Sequence, residues 1–174
     1  NIGVWQGLAD YNPDVDAIYR LTINNKIIFK KNDKYVLNKN LYCPFNSQNT
    51  FWSPEAYIFM YLPCTVAFRF TDILRSYICQ KLLWNKNLHL GFCAATVKQE
   101  RNHHDIFEDF NDEITMYKQV PKVVDILNNT DCTKLSDTDA LLLVYKNLLK
   151  ENIIMPEEIK YVQSWINDYK SIYF

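Results

Sequence analysis

The polar segment at residues 99–105 carries the residue types that most directly indicate chemistry. It follows an apolar run at residues 88–97 and contains two of the chain's three histidines, His103 and His104. His104 and Asp105 could bind a divalent metal, or Asp105 could orient the imidazole ring through a hydrogen bond. The alternative is a polar surface loop in which Asp105 caps the following helix.

Asp14 and Asp16 form a second candidate group, directly after a turn at Asn12 and Pro13. Two carboxylates one residue apart can supply the hard oxygen ligands that Mg²⁺ and Mn²⁺ prefer. The same residues suit a merely acidic turn, or a position that contacts a substrate. We favour these two interpretations over a metal site.

The loop at residues 43–50 is rich in amide and hydroxyl side chains, among them Asn46, Gln48 and Asn49. Such groups both donate and accept hydrogen bonds, which suits the hydroxyl groups of a sugar. They could equally form a turn that holds its own backbone. Composition alone does not separate these alternatives.

Asp72 lies in the first turn of a predicted helix, between Arg69 and Arg75. The helix dipole stabilises a carboxylate at this position. Asp72 could therefore act as a general base that takes a proton from an attacking hydroxyl, and either arginine could clamp a phosphate. The commoner alternative, favoured for this segment taken alone, is an N-terminal acid with nearby ion pairs.

Length and composition limit the class of protein. The 174 residues suit one domain or a little more, and 48% of them are hydrophobic, which is enough for a core. The net charge of −1 argues against a nucleic-acid binder, which needs a basic face. No apolar run reaches the roughly 18 residues that span a bilayer, and the residue pattern leads us to expect no signal peptide in this chain. Because the chain starts inside an apolar segment, we expect it to be the later part of a longer protein.

Cysteine usage excludes two further classes. The chain has five cysteines and no C-x-x-C pair, so neither a disulfide framework nor a zinc knuckle is indicated. Their neighbours are mostly apolar, and we predict buried free thiols.

The apolar pattern predicts strands at residues 17–23 and 26–29, forming a hairpin through Asn24 and Asn25, and further strands at residues 36–37 and 88–97. Residues 65–70 are expected to be a short buried strand or an extended link. Helices are predicted at residues 54–61, 72–85, 106–117, 121–128, 137–150 and 156–171, with Thr71 and Ser136 as caps of the second and fifth. In the helix at residues 106–117, Phe107 and Phe110 are expected to face inward and Glu108, Asp109, Asp112 and Glu113 outward.

Taken together, several segments in one order resemble the STELLO-type glycosyltransferase family. They are residues 13–22, 43–50, 68–75, 80–84 and 99–105, the last followed by Asp109 and Phe110. The resemblance spans about residues 5–117 and extends more weakly into the helical tail. Several motifs in the family's order are far more specific than any one of them alone.

The resemblance implies a GT-A-like glycosyltransferase, with a Rossmann-like α/β fold and a mixed sheet. Residues 1–119 would be the C-terminal part of that domain and residues 120–174 a helical extension packed on it. The implied substrates are a nucleotide sugar, possibly a UDP-sugar, and a glycan or other hydroxyl acceptor. A divalent metal, Mn²⁺ or Mg²⁺, is the implied cofactor.

Carried over to this chain, the resemblance makes His104 the expected metal ligand and Asp72 the expected catalytic base or acceptor contact. The family's aspartate-containing metal pair is expected upstream of this chain, because the segment with Asp14 and Asp16 looks like a later one. The remaining expected donor or acceptor contacts are Asn46, Gln48, Asn49, Arg69, Arg75, Asp14, Asp16 and Arg101.

Two other functions are alternatives to sugar transfer. A non-catalytic binding or assembly module with the same fold would act through partner contacts. A His-Asp metal phosphohydrolase is disfavoured, because that class is all-helical and needs more histidines than the three present here.

Overall fold

The computed structural model describes residues 1–23, 25–31, 33–102 and 105–173. Within them, β1 (Ile2–Tyr11), β2 (Lys34–Val36), β3 (Thr50–Trp52) and β4 (His89–Gln99) form one open sheet in the order β2-β4-β1-β3. The central pair, β1 and β4, is parallel, whereas β2 and β3 run antiparallel to their neighbours. The fold is α/β with a mixed sheet, as the GT-A-like, Rossmann-like prediction required.

The helices are α1 (Ala17–Thr22), α2 (Thr71–Asn85), α3 (Ile106–Asn129), α4 (Asp137–Lys150) and α5 (Glu157–Tyr173). Short 3₁₀ helices occupy Pro54–Met60 and Phe68–Phe70. None of the described helices is long and apolar enough to cross a lipid bilayer.

One hydrophobic cluster joins the sheet to the helices. It includes Val4 and Leu90 from the central strands, Leu74 and Leu82 from α2, and Val123 from α3, all of them almost fully buried. Side chains from the last two helices belong to the same cluster, among them Val144, Tyr145, Leu148, Val162 and Ile166. The tail therefore packs into the core that supports the sheet.

The predicted strand at residues 17–23 is wrong, because this segment forms α1. Asp16 caps the helix by accepting a hydrogen bond from the Tyr19 N–H at 2.8 Å. Ala17 and Arg20 are buried on one face, which is a helical spacing. A short apolar run fits a strand or a helix equally, and here the capping aspartate decides.

The predicted hairpin is therefore also wrong. In the predicted second strand, Ile27 forms an isolated bridge to Tyr11 of β1. Two backbone hydrogen bonds of 2.7 and 2.9 Å join these residues. Asn24, in the predicted turn, lies outside the described residues.

Two predicted helices merge into the single helix α3, which continues through Pro121. Met116, Val123 and Leu127 lie on one buried stripe, and this packing holds the helix together where proline removes a backbone donor. The predicted faces are also corrected, since Phe107 is 74% exposed whereas Glu113 is buried. Asp105 caps α3 by accepting hydrogen bonds from the N–H groups of Phe107 and Glu108.

The other predicted elements are largely confirmed. The helices at α2, α4 and α5 and the strand at β4 lie close to their predicted bounds, and Ser136 caps α4. Thr71 does not cap α2, since its hydroxyl donates to the Phe68 carbonyl instead. Residues 65–70 end in a 3₁₀ turn rather than a strand.

The five cysteines are free, with Cys79 and Cys132 buried and Cys64 exposed.

Candidate functional site

The carboxyl ends of β1 and β4 meet at one edge of the sheet. Tyr11 is paired with Gln99, and the Asn12 N–H donates to the Gln99 carbonyl at 3.1 Å. The loops that leave the two strands therefore start side by side. In open α/β sheets this is the edge where ligands bind.

A polar cavity of about 430 Å³, here called the edge cavity, opens between these loops. The 3₁₀ helix Phe68–Phe70, directly before α2, and the first turns of α3 also contribute lining residues. The charged and amide side chains that line it include Asp14, Gln48, Arg69, Arg101, Asp109 and Asp112. Residues from five separate parts of the sequence thus come together at one place.

Asp109 holds the two arginines of the edge cavity. Its Oδ2 accepts a hydrogen bond from Arg101 Nη2 at 2.6 Å, and its Oδ1 forms an ion pair with Arg69 Nη2. Arg69 Nη1 also lies 3.9 Å from the carboxylate of Asp14. Since each of the two arginine side chains is less than one-fifth exposed, their charges are held in place at the wall.

Arg20, which the sequence did not single out, supports the loop after β1. Its Nη2 donates to the Pro13 carbonyl at 2.5 Å, and the side chain is buried. Burial, and next the positive charge of Arg101, lower the pKa of Arg20 below its ordinary value. A third cationic group therefore stands behind the edge cavity.

The amide side chains at residues 46–49 tie the loop to its neighbours. Asn46 Nδ2 donates to the Asp14 carbonyl at 3.2 Å, and Gln48 Oε1 accepts from the Asp14 N–H at 3.3 Å. Asn49 Nδ2 donates to the Leu8 carbonyl and to the Thr96 hydroxyl. These contacts join the loop to β1, to the segment that follows β1 and to β4.

Two buried glutamines fix this loop from below, and neither was predicted. Gln6 Oε1 accepts from the Asn46 N–H at 3.1 Å, while its Nε2 donates to the Asn49 carbonyl at 3.2 Å. Gln80 exchanges two hydrogen bonds with the backbone of Cys43. One signal in the sequence could have indicated them: each glutamine lies within a mostly apolar run. A side-chain amide buried in such a run must find hydrogen-bond partners.

Asp72 lies at the start of α2, beside a second cavity of about 330 Å³ that shares Asp14 and Arg69 with the edge cavity. Its Oδ2 accepts a hydrogen bond from the Ser47 N–H at 3.0 Å. The carboxylate therefore connects α2 to the amide-rich loop. This contact orients Asp72 next to the edge cavity.

Asp16 and Glu113 serve the local structure of α1. Asp16 is its N-cap, and Glu113 Oε2 accepts hydrogen bonds of 2.8 Å from the Ala17 N–H and from the Tyr117 hydroxyl. Burial, followed by the hydrogen bond to Glu113, raises the pKa of Tyr117. Both residues line the second cavity, with Asp16 exposed and Glu113 buried.

Arg75 does not line the edge cavity. Its side chain is buried, with the guanidinium 5.1 Å from the ring centre of Trp52 and 5.6 Å from that of Phe45. Burial lowers its pKa. In this position Arg75 packs against aromatic rings and does not face the other two arginines.

The carboxylates of the edge cavity do not fit a metal ion by themselves. Among the described residues, no three His, Cys, Asp or Glu side chains form a group that could hold one. Asp14 and Asp109 instead face guanidinium groups. The predicted ligand His104, with His103, lies outside the described residues.

Fold and site define an α/β protein with a polar, arginine-walled cleft at the carboxyl ends of its parallel strands. A family model described as STELLO glycosyltransferases matches residues 69–174, and the chain belongs to the STELLO glycosyltransferase family. This confirms the resemblance found in the sequence motifs.

Two curated relatives from Arabidopsis thaliana are similar to nearly the whole chain. "Probable glycosyltransferase STELLO1" is 24% identical over 173 residues, which are 95% of this chain and 22% of that protein. "Probable glycosyltransferase STELLO2" is 25% identical over 175 residues, again 95% of this chain and 22% of the relative. The chain thus spans about a fifth of the length of either relative.

Proposed function

We propose that this chain contributes to a glycosyltransferase that moves a sugar from a nucleotide-sugar donor to a hydroxyl acceptor, with transfer at the edge cavity. The observation that carries the proposal is the convergence of Arg69 and Arg101 at the carboxyl edge of two parallel strands. Family membership supports the class of reaction. We further propose that residues 1–119 belong to the transfer domain and residues 120–174 form its helical extension.

The charges at the edge suit the leaving group of such a reaction. Breaking the bond between sugar and nucleoside diphosphate places negative charge on the diphosphate, which fixed cationic groups stabilise. Arg69 and Arg101 are held by Asp109 and supply such groups without needing to reorganise. Guanidinium groups also match the geometry of phosphate oxygens.

The acceptor side needs a base and oriented hydroxyl contacts. We propose that Asp72 takes the proton from the acceptor hydroxyl as that oxygen bonds to the sugar. Asn46, Gln48 and Asn49 would hold sugar hydroxyls, with Gln48 and Asn46 at cavity walls. Asp14 would contact the substrate directly.

The experiment replaces Asp72 in the intact protein. Asp72→Asn keeps an oxygen that can accept the Ser47 N–H but removes the base, so we expect kcat for sugar transfer to fall by about 10²-fold or more with little change in KM. The control is Asp125→Asn, which changes an exposed acid on α3 and should leave transfer unchanged. Full activity of Asp72→Asn would reject this role.

A second candidate function is a non-catalytic module with the same fold. It is favoured because polar groups at the edge cavity already have partners within the protein. Asp109 is paired with two arginines, and Asn46 donates a hydrogen bond to the Asp14 carbonyl. Such a module would act by binding a partner. Donor binding by the intact protein separates the two functions.

A further inference from the structure

A third cavity, lined mainly by aromatic rings, lies between β3 and α5. It has a volume of about 600 Å³, within the range of small-molecule sites. We call it the aromatic cavity, and its main lining residues are Trp52, Tyr57, Trp165, Asp168, Tyr169 and Tyr173. None of the roles proposed above uses it.

The rings of this cavity are held in place by contacts behind them. Trp165 Nε1 donates to the Ile58 carbonyl at 2.8 Å. Trp52 packs edge-on against Phe45 with ring centres 5.9 Å apart, and Arg75 lies against it. The rings of Tyr169 and Tyr173 are 4.7 Å apart. The cavity is therefore preformed, which lowers the entropic cost of binding a ligand.

The lining is mostly aromatic and apolar, with a few polar groups among the rings. Flat aromatic faces offer apolar contact, while the exposed Asp168 carboxylate and the phenol hydroxyls offer hydrogen bonds. Aliphatic contact comes only from Met60 and Ile172 among the described lining residues. A pyranose ring matches this pattern, because it has an apolar C–H face and a rim of hydroxyl groups.

A short chain segment connects the two cavities, since Gln48 lines the edge cavity and Thr50 lines the aromatic cavity. Thr50 also donates a hydrogen bond from Oγ1 to the Asn46 carbonyl at 2.7 Å. The segment from Gln48 to Trp52 therefore has one end at the proposed transfer site and the other in the aromatic cavity. A chain-like ligand could contact both ends of this segment.

We propose that the aromatic cavity is a binding subsite for an oligosaccharide, separate from the place of transfer, that holds an extended glycan acceptor. Sugar units stack on the tyrosine and tryptophan faces while Asp168 accepts hydrogen bonds from their hydroxyls. The choice of a sugar as ligand rests on the proposed function.

The test measures binding of hexasaccharides built from glucose, mannose, xylose or galactose units to the intact protein, by calorimetry and by tryptophan fluorescence. We expect at least one to bind and to change the fluorescence, since Trp52 and Trp165 line the cavity. Tyr173→Ala and Asp168→Ala should each weaken that binding about tenfold. Tyr161→Ala is the matched control, because Tyr161 is 49% exposed on the same helix and Tyr173 is 50% exposed.

Unchanged affinity in both cavity variants, or no binding of any hexasaccharide, would overturn the proposal. Binding of tetramethylammonium in place of the sugars would also overturn it, because aromatic rings with a carboxylate can hold a cation. A protein that binds the hexasaccharide through Tyr173 and Asp168 but neither binds a UDP-sugar nor transfers sugar would support the subsite and reject the proposed function.

Discussion

Two acids on α3 show how single residues connect distant parts of this chain. Asp109 pairs with Arg69 and Arg101, and Glu113, one turn further, binds the first backbone N–H of α1. In the sequence both look like ordinary surface acids of an amphipathic helix. Glu113 is buried and Asp109 is mostly covered, because α1 and the Phe68–Phe70 turn pack on that face of α3. The spacing of residues within α3 does not predict this packing.

Glu113→Ala tests whether the buried Glu113 carboxylate stabilises the contact between α3 and α1. The change leaves the Ala17 N–H and the Tyr117 hydroxyl without their acceptor, so we expect the free energy of unfolding to fall by about 1–3 kcal/mol. Urea denaturation of the intact chain measures it. Glu108→Ala, at an exposed position of the same helix, should change it by less than about 0.5 kcal/mol. Equal effects of the two changes would contradict the assignment.

At the scale of elements, one buried acid attaches α5 to the core. Glu158 is fully buried and accepts hydrogen bonds from the Tyr61 hydroxyl, the Cys64 N–H, and the N–H and hydroxyl of Thr65. The Trp165 indole adds a bond to the Ile58 carbonyl. The residues in and just after the Pro54–Met60 helix therefore hold α5 in place. In turn, α5 contributes half of the residues that line the aromatic cavity.

Removing this attachment should loosen α5. We expect Glu158→Ala to lower the free energy of unfolding by about 3 kcal/mol, because several buried donors lose one charged acceptor together. Amide hydrogen exchange should rise specifically in α5. Glu157→Ala changes an exposed acid in the same first turn and controls for the helix dipole. Unaltered exchange in Glu158→Ala would show that α5 is held by its apolar face alone.

At the scale of the whole molecule, the chain order places the proposed site. β1 and β4 are far apart in sequence, yet their parallel pairing brings both following loops to one edge, where the 3₁₀ helix Phe68–Phe70 and the start of α3 also lie. Cationic and acidic side chains from four segments then share one cavity. No local pattern specifies this meeting, because it depends on which strands become neighbours.

Donor binding by the intact protein tests the site as a whole. We expect a labelled UDP-sugar to bind in the presence of Mn²⁺ and to bind more weakly after chelation with EDTA or after His104→Ala. The metal and its His104 ligand are predictions from the family resemblance. Arg101→Ala should weaken binding as well, since it removes one fixed cation from the edge cavity. Absence of binding by the unmodified protein would favour the non-catalytic module.

The sequence by itself determined the elements that local signals specify. The Ser136 cap, the acids that open α5 and the apolar spacing in α2 and β4 act within a turn or two, so those elements were predicted close to their bounds. The motif order also predicted the family. Asp72 and Arg69 were named as candidates because charged residues next to a helix start are visible in a single segment, and Arg101 was named because it lies in one of the family's motifs.

Only the tertiary structure decided which of these residues meet. It made residues 17–22 a helix, buried Glu113, joined Arg69 to Arg101 through Asp109, and placed Arg75 among aromatic rings away from both. Each outcome depends on contacts between residues far apart in the chain. Burial and pairing there outweigh local preferences of a few tenths of a kcal/mol per residue, so a single sequence carries no separate signal for them.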